Sequence, residues 1–323
     1  MKHSTVTSSR KVTGFSLTEL MIAMVLGLLI LGGVLGVFMA NQTTSRVNTS
    51  LSEVQNTARI AFQLMSKDMR SAGFSGCGNP VRVVNVLNVA QPWADWNDGI
   101  RGFSAPVAAI NGVTPTLGTD AVRLMYGSGV SNSVNNHNAT NALFTLTNPP
   151  ILNALDIAMA CDDTLTTIFQ VGAVNRVANT ISYKIANAPL NCTENFGFIS
   201  PYNCAAAPAR NFPSTAMIMR FESVAWFIAP SADDGQVKSL YRAALVGSRQ
   251  INEEILFGVS DLQLRYMDAS TRQFSAASAV INWGDIVAVS VTLTLDDAVL
   301  QQLDLLEDAK QINFLVTLRN RVG

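Results

Sequence analysis

Residues 14–40 read GFSLTELMIAMVLGLLILGGVLGVFMA, and this stretch decides the architecture. From Leu20 to Ala40 the run is unbroken and apolar, about 20 residues, enough at roughly 1.5 Å per residue to cross the ~30 Å hydrocarbon layer as a helix. Residues 1–14 carry Lys2, Arg10 and Lys11 and no acid. That bias holds this end in the cytoplasm and sends the chain beyond Ala40 across the membrane. A secretory signal peptide would have a shorter apolar core of about 7–15 residues and a small-x-small cleavage site, which Met39-Ala40-Asn41 does not supply. An ordinary single-pass anchor would explain the length and flanks, but neither Gly14-Phe15 nor Glu19. A carboxylate costs on the order of 3 kcal/mol at the bilayer centre and less near the interface, so an acid at the mouth of the span points to a function. Gly27, Gly32, Gly33 and Gly36 lower helix propensity and permit close helix approach, although glycine is common in membrane helices generally.

Beyond Ala40 the composition turns polar while the helical period continues. Val47, Leu51, Val54, Ala58, Ala61, Met65 and Met69 recur at three- and four-residue steps, which predicts an amphipathic helix. Arg46, Glu53, Gln55, Arg59, Lys67, Asp68 and Arg70 mostly occupy its remaining surface. The mixed charges argue for packing on the protein's own globular part rather than on a membrane surface, and Gly73 terminates the helix.

Residues 74–323 are long enough for one large or two smaller domains. Val287, Val289, Val291, Leu293 and Leu295 alternate with Ala288, Ser290, Thr292 and Thr294, and Ile312, Phe314, Val316 and Leu318 with Asn313, Leu315, Thr317 and Arg319. Period two predicts strands there. Weaker runs at 217–228, 237–242 and 262–267 predict neighbours, with Ala232-Asp233-Asp234-Gly235 as a turn, and together they suggest one half-buried sheet. The middle, about 76–211, mixes short apolar runs with Gly, Pro and Asn clusters, and Ser131–Asn141 and Asn203–Phe212 read as surface loops.

Cys77, Cys161, Cys192 and Cys204 all lie beyond the membrane segment and therefore face an oxidising compartment, where disulfides persist. Three pairings are open. Cys192 with Cys204 is local, and leaves Cys77 with Cys161. Zinc is disfavoured because there is no Cys-x-x-Cys spacing and histidine is nearly absent.

Catalysis is not expected. Only His137 lies beyond the leader, in an Asn-rich segment read as solvent-exposed, and no Gly-x-Ser-x-Gly, Walker A or His-Glu-x-x-His motif occurs. Asp162-Asp163, Asp233-Asp234 and Asp296-Asp297 read as turns or caps, since none has EF-hand spacing. No cofactor and no metal is expected. Direct nucleic-acid binding is disfavoured too: without the leader, 19 basic residues stand against 23 acidic ones, and no basic cluster compensates.

Gly14-Phe15-Ser16-Leu17-Thr18-Glu19-Leu20-Met21-Ile22 resembles the class III signal of type IV pilins and type II secretion pseudopilins. The resemblance implies prepilin peptidase cleavage between Gly14 and Phe15, N-methylation of Phe15, and an assembly ion pair between Glu19 and the terminal amine of a neighbouring subunit. A pair in low dielectric is far stronger than in water and can set a register. Further along, Ser52-Glu53-Val54-Gln55, Arg59-Ile60-Ala61-Phe62, Lys67-Asp68-Met69-Arg70 and Ala72-Gly73-Phe74-Ser75-Gly76-Cys77 are similar to the PilW family of minor type IV pilins. So are Ala160-Cys161-Asp162 with Ile168-Phe169-Gln170, Ser239-Leu240-Tyr241-Arg242, and Leu318-Arg319-Asn320-Arg321. A chain this long suits a scarce subunit better than the repeating one.

The fold so implied is α+β and type IV pilin-like, with a long N-terminal helix packed on an antiparallel β-sheet head with large loops. Its segments are a leader (1–14), a transmembrane and assembly helix (15–40), an amphipathic continuation (41–73) and a periplasmic or extracellular β-rich head (74–323). The implied partners are prepilin peptidase, other minor pilins, the major pilin, a tip adhesin and the inner-membrane assembly platform. The implied location is the inner membrane before assembly and the pilus surface after it, in support of twitching motility, adhesion or DNA uptake. The J-type minor pseudopilin of type II secretion shares the same plan and is the alternative.

Overall fold

The computed structural model describes residues 16–78, 82–88, 92–105, 107–297 and 310–321. The cleavage and methylation positions Gly14 and Phe15 lie outside them. The chain divides into two compact units, Met1–Val54 and Gln55–Gly323. The single long helix α1, Leu17–Ser71, contributes to both.

In the first unit, Leu17–Arg46 is long and apolar enough to cross a membrane, with a mean hydropathy of 2.7. Its large side chains, from Leu20 through Met39, are exposed rather than folded into a core. That is the pattern of a helix whose apolar surface is satisfied by lipid or by other helices.

In the second unit, the predicted stripe supplies the inner face of the helix. Ala61, Met65, Met69 and Ala72 are fully buried and Ala58 partly so; the side chains of Val47, Leu51 and Val54 lie outside the described part. Each buried methionine contributes about 1.5–3 kcal/mol of apolar burial. The helix stops at Ser71, and Gly73 takes a left-handed φ of 77°, the conformation glycine adopts beyond a helix end. Asp68, grouped from sequence with the surface residues, is instead buried.

The strands are β1 (Val83–Asn85), β2 (Ile100–Phe103), β3 (Ala121–Asn138), β4 (Leu143–Leu146), β5 (Ile157–Cys161), β6 (Thr166–Gln170), β7 (Val174–Asn175), β8 (Thr180–Ser182), β9 (Met217–Pro230), β10 (Lys238–Val246), β11 (Arg249–Phe257), β12 (Val259–Asp268), β13 (Phe274–Ser275), β14 (Ile286–Leu295) and β15 (Gln311–Thr317). They form two sheets, not one: an 11-stranded sheet centred on β9 and β3, and a four-stranded sheet in the order β13-β12-β14-β15. The five strands expected from alternation are thus split, β9 and β10 in the larger sheet and β12, β14 and β15 in the smaller. Their inner residues join α1 in one core, where Val122, Leu124, Val224 and Trp226 meet Leu262, Leu264, Val289 and Val291. Pairing is antiparallel except for β1 with β6, which is parallel.

Ser131–Asn141 corrects the loop reading. Residues 131–138 are the second half of β3, paired with β9 at Ser131↔Met219 and Asn132↔Ile218 and with β4 at His137↔Phe144. Cross-strand pairing and burial of alternate residues override weak strand propensity here.

Candidate assembly site

At the N-terminus of α1, Ser16-Leu17-Thr18-Glu19 forms a capping box. The Ser16 hydroxyl accepts a hydrogen bond from the Thr18 amide at 3.2 Å, and the Glu19 carboxylate accepts one from the Ser16 amide at 3.1 Å. Two helix-end amides are thereby satisfied reciprocally. This cap was not read from the sequence; the signal that could have found it is Ser-x-x-Glu ahead of an apolar run, and the cap gives Glu19 a role within its own chain. Glu19 is exposed, so its carboxylate also faces outward from the helix.

Among the remaining predicted positions, the structure joins Cys77 to Cys161 with a Cα–Cα distance of 5.7 Å, and Cys192 to Cys204 at 6.0 Å. The first bond ties the segment after α1 to β5; the second closes a loop after β8. Asp162 ends β5 as a turn acceptor, taking hydrogen bonds from the Thr164 and Leu165 amides at 2.9 Å each and pairing with Arg210. Burial pushes its carboxyl up, but these donors, Arg210 foremost, outweigh burial and hold it below the usual range.

The anchor of the helix was not anticipated. Asp68 accepts from Tyr126 Oη at 2.7 Å, from Trp226 Nε1 at 3.0 Å and from Arg242 Nε at 2.9 Å. Thus one carboxylate on α1 gathers β3, β9 and β10. Burial lowers the Arg242 guanidinium, but the bonds and charge of Asp68 outweigh it and hold Arg242 above its ordinary value. Burial first, then the facing Asp68 charge, push the Tyr126 phenol upward, so it remains a donor. The signal that could have found Asp68 is its spacing: seven residues after Ala61 and three after Met65, it falls on the buried stripe.

The helix end is closed by the distant tail. The Asn320 side-chain amide reaches the carbonyls of Arg70, Ser71 and Ala72 at 3.3–3.4 Å. The Gly73 amide donates to Met125 at 2.9 Å and the Gly127 amide to Phe74 at 2.6 Å. These contacts satisfy helix-end groups that would otherwise be orphaned.

His137 is buried, not exposed. It stacks on Phe144 at 3.9 Å between centroids, its Nδ1 accepts from the Phe212 amide at 2.9 Å, and its Nε2 lies 2.7 Å from Tyr183 Oη. With Nδ1 accepting, the proton sits on Nε2 and donates to Tyr183. Burial pulls its pKa down to about 4. Both ring nitrogens are occupied by structural partners in an aromatic core. Among the described residues no group of three His, Cys, Asp or Glu side chains could hold a metal ion.

The family model of the prokaryotic N-terminal methylation motif matches residues 9–35. No curated protein matches the chain. Together with the long apolar helix and the sheet-rich body, this motif supports a type IV pilin-like protein of α+β layout, richer in sheet than a small pilin, and suggests a membrane anchor. More particularly, the motif indicates processing by prepilin peptidase, as in pilins and pseudopilins.

Proposed function

We propose that the protein is a minor type IV pilin of the PilW kind, a non-catalytic subunit that helps initiate pilus assembly and takes its place in the minor-pilin complex at the pilus tip. The observation that carries this reading is the convergence of the PilW-like segments around one helix end. Lys67-Asp68-Met69-Arg70 meets Ser239-Leu240-Tyr241-Arg242 through the Asp68–Arg242 pair. Leu318-Arg319-Asn320-Arg321 caps the same helix through Asn320, and Gly76-Cys77 is bonded to Ala160-Cys161-Asp162. Segments scattered over the sequence thus serve one task, fixing the head on its helix.

In this reading the protein acts by packing. Its apolar helix joins the helical bundle, Glu19 neutralises the methylated Phe15 amine of a neighbour, and the head presents a surface to other minor pilins, the major pilin and a tip adhesin. The Glu19 carboxylate, which takes the Ser16 amide on one oxygen, has acceptor sites left for that amine, and the bond to it is a full ion pair. The J-type pseudopilin would share this N-terminal chemistry and differ in its assembly.

Mass spectrometry of filaments sheared from cells tests the proposal. The expected result is a peptide beginning at N-methylated Phe15, at a small fraction of the major pilin. The methylated peptide confined to the envelope, beside a secretion operon, would favour the pseudopilin; an unprocessed Met1 terminus would overturn both.

A further inference from the structure

Beside the Asp68 anchor, the second unit holds an open cleft of about 680 Å³. One wall is the last turns of α1, with Lys67 and Arg70; another is the C-terminal tail, with Arg319; Glu222 lies on β9 between them, next to Tyr126 and Arg242. The lip is an irregularity in β3. Between Gly127↔Phe221 and Ser131↔Met219, three residues of β3 oppose the single Arg220 of β9, and the surplus pushes Gly129 and Val130 into solvent, Val130 at 64% exposure. Bulges of this kind re-aim side chains and gather beside functional sites.

The charges around the cleft are unbalanced. Arg242 is committed to Asp68. Lys67, Arg70 and Arg319 are exposed and make no ion pair among the described residues, although the chain as a whole carries one more acid than base. The helix C-terminus accounts for one such cation, Arg70, through its partial negative charge. It does not account for three converging on one concavity. The Glu222 side chain makes no hydrogen bond or ion pair among the described residues. Burial first, offset by Arg220, Arg242 and Lys67, raises its pKa; its one charge leaves the three cations in excess.

We infer that this cleft is a docking site for an acidic, extended segment of another subunit of the same assembly, whose carboxylates pair with Lys67, Arg70 and Arg319 while an apolar residue rests on Val130. The inference rests on the proposed pilus role for the identity of the partner, but not for the chemistry of the site. An opening of this size accepts several residues of a peptide rather than one small anion, and a sharply local cationic patch in an acidic chain suits a protein segment better than the long repeat of a nucleic acid.

The test uses the full-length chain in cells that assemble filaments, with a photoreactive benzoylphenylalanine placed at Val130 and, as a control, at the exposed Val177. Irradiation should join Val130 to a chain bearing its own prepilin motif, through a peptide rich in Asp and Glu, with little product at Val177. The Lys67→Glu, Arg70→Glu, Arg319→Glu variant should lower the yield at least tenfold, and the milder Lys67→Gln, Arg319→Gln variant should lower it in part, with protein level and processing unchanged. With the purified chain in detergent, a hexaglutamate peptide should bind at least tenfold more tightly than to the charge-reversed variant. A cross-link indifferent to charge reversal, an attached peptide without acids, or displacement of hexaglutamate by inorganic phosphate or single-stranded DNA at equal charge would overturn the site. Loss of the chain from filaments with the cross-link intact would instead sink the pilus role and leave the cleft standing.

Discussion

The Asp68 carboxylate and the Arg242 guanidinium, 174 positions apart, meet at 2.9 Å inside the head. Asp68 is 3% and Arg242 19% exposed at the side chain, so both charges are largely withdrawn from water. Breaking such a pair from one side costs about 3–5 kcal/mol, because the other charge stays buried. Asp68→Ala should cost that much in guanidinium unfolding followed by the fluorescence of Trp226, which donates to the same carboxylate. Replacing both partners by apolar residues, Asp68→Leu with Arg242→Met, should recover most of it. A loss below about 1 kcal/mol for Asp68→Ala, no more than an exposed pair is worth, would show that the pair does not fix the helix.

The two disulfides should differ in weight. Cys77 and Cys161 lie 84 residues apart, Cys192 and Cys204 only 12. Loop-closure entropy then assigns roughly 4–5 kcal/mol to the first and about 3 kcal/mol to the second, if restriction of the unfolded chain dominates. Paired Cys→Ser variants, unfolded under identical conditions, should rank in that order. The reverse order would mean that residual structure, not loop length, governs the unfolded state.

His137 predicts a pH dependence with a definite sign. Its pKa is about 4 in the fold and about 6.5 in an unfolded chain, so its contribution is complete above about pH 6.5. It is lost as the pH falls from there towards 4, because protonating Nδ1 breaks the bond from the Phe212 amide. The loss is on the order of 3 kcal/mol. In His137→Gln, which can keep both hydrogen bonds but cannot titrate, stability should fall less steeply by that amount over the same pH window. Equal slopes in both proteins would refute the assignment.

Gly99 is a test of backbone packing. Its φ is +76°, and a Cβ there would lie 2.4 Å from the Gly73 Cα and 2.9 Å from the Met125 carbonyl. Gly99→Ala therefore combines an unfavourable dihedral with a backbone clash just past the end of α1, and should cost more than about 1–3 kcal/mol. Gly112, also at positive φ but with open space around its Cβ position, should cost only the dihedral. Matched melting curves of the two alanine variants separate the terms.

How far residues announce their structure depends on what fixes them. Ala61, Met65 and Met69 declare a helix face because helical periodicity is local, and β14 and β15 show in their alternation for the same reason. The division into two sheets could not be read that way, since alternation gives each strand a buried side but no partner. In Ser131–Asn138 the composition misleads: Asn132 is held in β3 by bonds to Pro149 and Ile151 at 3.1 and 3.0 Å, and His137 by Phe212. All of those partners are distant in sequence. The membrane span was legible; the cationic cleft was not, because Lys67, Arg70 and Arg319 converge only once the tail has folded onto the helix end.

Glu19 separates a helix cap from an assembly charge. In the isolated chain its carboxylate accepts from the Ser16 amide; in a filament the proposed role requires its negative charge. Glutamine keeps the acceptor and removes the charge, whereas alanine removes both. Loss of a cap costs about 0.5–2 kcal/mol of helix stability, and an unpaired terminal amine in low dielectric costs several. Glu19→Gln should therefore leave cleavage after Gly14 and helicity unchanged while reducing incorporation into filaments at least tenfold, and Glu19→Ala should add fraying of the first helical turn. The measurement is the ratio of methylated Phe15 peptide in sheared filaments to that in the membrane. If the glutamine variant enters filaments as the native chain does, Glu19 is a cap and the amine finds its counter-charge elsewhere.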